Sequence, residues 1–322
     1  MKKLKLTLAV LLTFAITCAL LIGCTPGKPV DYMTKWTETK NKSYTEVYYS
    51  DEAQVFDETT GEYKPAEFGG TTTAETTLIK NESKMMLKMV SITNLKDKNG
   101  KDSITYDIKP AYALIFELNK EGKYNLYEYK LEVVKDGDKF VEKGKWTATQ
   151  ETKENVESGN YDFGYYTYSA LIDQLKDCDE EFAEMKEDFE TKYPKEKGKY
   201  VQSFENGSKQ TIQIKSGEML IDFIDKEGKL SNTARFDIGN KITIASGAKD
   251  ALTAYLETTD GTFVKVESDV YYISVNGAEY KVNNKVAGYD ILKDAKAGDV
   301  ISVRLTKNFF GKYSIKEVYA IK

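Results

Sequence analysis

Histidine is absent from this 322-residue chain. Its absence removes Ser-His-Asp and Cys-His catalysis, and with them the usual histidine-containing zinc sets. Cysteine is scarce, at Cys18, Cys24 and Cys178 only. Of 46 basic residues just two are arginines, Arg235 and Arg304. Few bidentate clamps for phosphate or carboxylate are therefore available. Proline occurs five times and not at all after Pro194. Nothing in the last 128 residues interrupts a strand by removing a backbone donor. No catalytic set, metal site or cofactor is read from the sequence.

What is present is first of all an apolar amino end. Lys2, Lys3 and Lys5 precede a stretch without charge from Leu6 to Ile22, which Gly23 and Cys24 close. Basic, apolar and small residues in that order make a secretory signal peptide. The run is slightly short for a membrane-spanning helix, which needs about 20 apolar residues. The stretch Leu21-Ile22-Gly23-Cys24 resembles the lipobox of bacterial lipoproteins. The resemblance implies cleavage before Cys24 and a diacylglycerol on its thiol. The expected partner is then the membrane, and the expected location is its extracytoplasmic face, where two acyl chains hold a protein stably. Residues 1–23 are read as signal peptide and residues 24–30 as a tether. A lipidated Cys24 would leave Cys178 without a disulfide partner in the chain.

Residues 1–23 hold three lysines and no acids, so their removal takes the net charge from −5 to −8. An acidic body with scattered lysines is no nucleic-acid binder, which would carry a basic stripe. The unknown surface ligand is expected to be a glycan, a lipid or a protein.

The dominant local signal is the β-hairpin. Turn pairs recur at Thr60-Gly61, Asn99-Gly100, Glu121-Gly122, Asp136-Gly137, Asn206-Gly207, Glu227-Gly228, Asp260-Gly261 and Asn276-Gly277. Their flanks are rich in Tyr, Val, Ile, Thr and Phe, which suit a pleated sheet. Asn119–Lys123 and Asp225–Lys229 look alike, as a common lysine-rich turn or a trace of duplication. Asp97–Asp102 has three oxygen-bearing side chains beside a glycine, but its spacing is wrong for an EF-hand and favours a hairpin turn. One segment breaks the pattern: Leu171, Leu175, Cys178, Phe182, Met185 and Phe189 are spaced 4, 3, 4, 3 and 4 apart. That is an amphipathic helix, with Ser169 as N-cap and Pro194 beyond its end.

The sequence therefore predicts a mainly β fold. Two antiparallel β-rich domains, sandwich or barrel-like, span residues 31–167 and 195–322. A single amphipathic helix over residues 168–194 joins them. Residues 297–319 form a closing hairpin in the second.

The candidate ligand-binding residues are aromatic. Tyr161, Phe163 and Tyr165 alternate, so they share one strand face, with Tyr166 and Tyr168 beside them. Core packing is the plainer reading of such a run. Gly144-Lys145-Trp146 resembles the Gly-x-Trp signature of lipocalins. That resemblance implies a tryptophan closing one end of a barrel around an apolar ligand. Asp222, inside the apolar run Met219–Ile224, is the one acid singled out for a carboxylate-dependent hydrolase. The leading expectation is a non-catalytic binding or interaction module on the cell surface. A lipocalin-like carrier and a carboxylate-dependent hydrolase are the alternatives.

Overall fold

A computed structural model describes residues 28–159, 161, 163–307 and 312–322, with residues 106–110 and 307 as backbone only. Cys24 and the whole amino-terminal signal lie outside the described residues. The fold is mainly β, as the sequence predicts.

Helix α1 (Pro29–Glu38) leads into β1 (Lys42–Ser50), a short arm of β2 (Gln54–Asp57) and β3 (Glu62–Pro65), then β4 (Gly70–Lys80) and β5 (Lys84–Lys96). Three long strands follow, β6 (Asp102–Leu118), β7 (Lys123–Asp136) and β8 (Lys139–Thr152). Helices α2 (Lys153–Glu157), α3 (Tyr168–Lys186) and α4 (Phe189–Lys192) come next. The chain returns through β9 (Lys195–Glu196), β10 (Lys199–Ser203), β11 (Lys209–Lys215), β12 (Glu218–Ile224) and β13 (Leu230–Ile238). These build an open eleven-stranded sheet in the order β8-β7-β6-β5-β4-β1-β13-β12-β11-β10-β9.

The chain divides into two compact units, and the division is not the one the sequence suggests. Unit 1 takes the residues up to Tyr112, Val133–Val141 and Tyr168–Ile242; unit 2 takes Ala113–Glu132, Glu142–Thr167 and Thr243–Lys322. Residues 195–242 belong with the amino-terminal strands because β1 pairs with both β4 and β13, antiparallel, at Thr45↔Thr77 and Thr45↔Arg235. Long-range pairing of this kind leaves no mark in local periodicity.

Nor does α3 link two domains. It packs inside unit 1, burying Leu171, Leu175, Cys178 and Phe182. Its partner α1 buries Pro29, Met33 and Trp36. Trp36, Phe182 and Phe236 form an aromatic triangle with ring centroids 4.6–5.4 Å apart, Trp36 edge-to-face with both phenyl rings and these tilted at 55° to each other. The Trp36 indole N–H donates to Ser43 O at 3.1 Å. The Tyr32 hydroxyl donates to Phe236 O at 2.8 Å. Lys42 is buried beside this triangle, its ammonium 4.2 Å from the Trp36 ring centroid and 2.8 Å from Asp179.

In unit 2, helix α5 (Ser246–Leu256) precedes β14 (Thr258–Glu267), β15 (Val270–Val275), β16 (Ala278–Val282), β17 (Val300–Lys307) and β18 (Tyr313–Ile321). The five strands are ordered β16-β15-β14-β17-β18. A parallel bridge between Ala287 and Glu317 ties the segment after β16 to β18 at the other edge. The Val318 N–H donates to Ala287 O at 2.9 Å there. A 3-10 turn (Tyr289–Asp294) drops Leu292 into a core of Phe263, Ile273, Val275, Ile301 and Val303. The closing hairpin falls here, as the sequence predicts.

Seven of the eight turn glycines adopt positive φ. Gly261 does not: Asp260-Gly261 lies within β14. A Cβ on Gly261 would stand 2.7 Å from the side chains of both Ile273 and Val275. The glycine serves close strand packing, not a turn.

Candidate functional site

The strand ends of unit 1 hold an open pocket of about 450 Å³. Its apolar walls are Val55, Ala66, Phe68, Leu95 and Ile104, with Glu67, Lys96, Asp97, Lys98 and Ser103 completing the lining. Phe68 and Ile104 stay 51% and 53% exposed.

Several local devices hold this shape. At Gly70 a Cβ would lie 2.3 Å from Asn94 O and 2.7 Å from the Ala53 Cβ. Only glycine lets the chain run so close to β5. The Lys96 N–H donates to Gly69 O at 3.1 Å, and the Ala66 N–H donates to Ala53 O at 2.9 Å. The β2–β3 arm is fixed by the Phe56–Tyr63 ring pair at 5.4 Å and by the Asp57–Lys64 ion pair. Its tip is pinned where the Phe140 N–H donates to Glu58 O at 2.6 Å.

The electrostatics of the rim are uneven. Asp97 accepts from the backbone N–H groups of Asn99 at 2.8 Å and Lys101 at 3.0 Å. The Lys101 N–H, then the Asn99 N–H, hold this carboxyl below its usual range. The Asp97 carboxylate is thus engaged by the hairpin turn itself.

The aromatic residues singled out in the sequence do not converge on one surface. Tyr161, Phe163, Tyr165 and Tyr166 lie on a loop between α2 and α3, not on a strand. Gly159 and Gly164, at φ 74° and 77°, bend the chain there, so the alternation places no common face. Tyr161 and Phe163 are half-buried. Burial pushes the Tyr161 hydroxyl up. Tyr165 is 75% exposed, with the Lys130 ammonium 4.6 Å from its ring centroid.

Trp146 stands in the middle of β8, not at a strand start, 5.3 Å from the Tyr129 ring. Lys130 and Tyr129 are neighbours on β7 and point to opposite faces. Tyr165 and Trp146 therefore attach to opposite sides of that strand. Gly144 has a packing reason: the Tyr129 hydroxyl occupies the place of its Cβ. The sheet that carries Trp146 has two separate end strands and is not a closed barrel around a lumen.

Asp222 accepts from Thr233 at 3.0 Å and Thr211 at 3.3 Å, with Lys199 at 3.4 Å. Two hydroxyls and an ammonium compensate its charge, which accounts for a carboxylate in an apolar strand.

Sequence reasoning missed the pocket. Val55, Phe68, Leu95 and Ile104 come from four separated segments, none of which carries a motif. The available signal was Phe68-Gly69-Gly70, an aromatic beside two glycines after Pro65.

No family profile matches this chain, and no curated protein matches it. Among solved structures, the dehydratase domain from the CurK module of curacin polyketide synthase is similar at 10% identity, covering 69% of this chain and 81% of that one. Its TM-score of 0.09 carries no inference about fold or activity.

Proposed function

We propose that this chain is a membrane-tethered, non-catalytic binding protein that takes an apolar group into the pocket of unit 1. The observation that carries the reading is the pair Phe68 and Ile104, large apolar side chains half exposed on the walls of a 450 Å³ opening. A pocket of that volume, mainly apolar with a few polar groups, matches the usual ligand range. The tether rests on the order of residues in the amino-terminal signal, with Cys24 as the lipid-modified residue.

Two measurements test the two halves. Cells fed a labelled fatty acid should incorporate it into the protein, and Cys24→Ser should abolish the label. Residues 25–322 carry every described helix and strand. Their native mass spectrum, before and after organic extraction, should show a removable lipid-sized adduct. Phe68→Ala combined with Ile104→Ala should lose that adduct. An adduct that survives the double substitution places the ligand elsewhere.

A further inference from the structure

We propose that the pocket of unit 1 selects amphiphiles with an anionic head, its walls taking the chain and Lys96 and Lys98 the head. The proposal rests on the apolar-pocket reading above and names the ligand class for that same site.

Lys96 is the last residue of β5 and Lys98 stands two positions on, so the two lysines bracket Asp97 at the mouth. Both are exposed, and among the described residues neither ammonium group has a hydrogen-bond or ion-pair partner. Most other lysines near this end of unit 1 are committed: Lys64 to Asp57, Lys139 to Glu58 and Lys229 to Asp51. Two uncommitted ammonium groups beside an apolar opening are the complement of a carboxylate or phosphate on a hydrocarbon chain. Long lysine stems lie along apolar surface while the charge stays in water, which suits a head held at the rim.

The opposing charges are Asp97 and Glu67. Asp97 Oδ1 accepts both N–H groups of its own turn, and Oδ2 accepts the Asn99 side-chain amide at 3.4 Å. Glu67 is exposed and is the one lining carboxylate not engaged in this way. The lining thus carries two charges of each sign, and the preference for an anionic head rests on the two ammonium groups being unpaired, not on a net positive field.

The test compares probes that share one chain. Residues 25–322 are titrated calorimetrically with dodecyl phosphate, dodecanol and inorganic phosphate, each below any micelle concentration. Dodecyl phosphate should bind about tenfold more tightly than dodecanol, the combined effect of two exposed charge contacts. Inorganic phosphate alone should not bind, which separates an amphiphile site from a simple anion site. The preference should shrink as salt rises. Lys96→Gln with Lys98→Gln should bring dodecyl phosphate down to the affinity of dodecanol and leave dodecanol unchanged.

Equal binding of dodecyl phosphate and dodecanol overturns the head-group selection while the apolar pocket stands. So does a preference that survives the double substitution. Binding of inorganic phosphate alone overturns it as well, by making the site one for free anions. Failure of both chains to bind overturns the pocket reading itself, and this proposal with it.

Discussion

A carboxamide or carboxylate at the head of a five-residue turn recurs three times, at Asp97, Asn119 and Asp225. In each, the N–H of the first residue donates to the carbonyl of the fifth, a lysine, at 2.8–2.9 Å. The first side chain accepts the N–H of that lysine in return, at 2.8–3.0 Å. The similarity of the last two turns therefore reflects one turn chemistry, used twice in unit 1 and once in unit 2. Gly261 is a residue-scale opposite, a glycine required where no turn exists. Gly261→Ala should destabilise unit 2 by about 1–3 kcal/mol, the usual cost of overpacking, measured by denaturant unfolding. Cys178 is chemically silent for a residue-scale reason too. Burial, then Glu181 and Asp179, push its thiol up to about 12. Since the thiolate is the reactive form, alkylation at pH 8 should be negligible in the native protein and rapid once it unfolds.

The elements show which signals a sequence carries. The stripe from Leu171 to Phe189 was legible because six apolar residues keep helical spacing. The structure divides it into α3 and α4 at Asp188, which sits at φ 54°. Helix α1 was not legible, because its buried face is only Pro29, Met33 and Trp36. Helix α5 buries only Ala248 and leaves even less of a stripe. The tyrosine run near residue 163 gave a strand-like alternation that two glycines cancel. In the β2–β3 arm, Asp57 is held down to about 2 by Lys64, with the Thr59 N–H adding to it. A folded-state value below the ordinary 3.8 means the arm gains stability above that value. The gain fades as pH falls toward 2. The Thr59 amide resonance should accordingly titrate with a midpoint of about 2, and Asp57→Asn should remove the transition.

For the whole molecule, strand content and hairpin order were legible, and the partition into units was not. Alternation and turn residues are local, whereas the partner of β1 is fixed by contacts across most of the chain. The site was least legible of all, because its walls meet only after the sheet forms. A fragment of residues 31–194, cut at the boundary the sequence suggests, leaves β1 without β13 and removes Phe236 from the Trp36 triangle. It should lack cooperative thermal unfolding by circular dichroism, while residues 28–322 melt cooperatively.

The pairing of β1 with β13 also sets a timetable. The Tyr32–Phe236 hydrogen bond spans 204 residues. A chain made from its amino end exposes α1 and β1 long before the strand that covers them has been synthesised. Contacts of such separation form late and slowly. Trp36 and Met33 must wait in an unfinished chain, where exposed apolar surface invites aggregation or capture by a chaperone. The core of unit 1 closes only when Phe236 arrives.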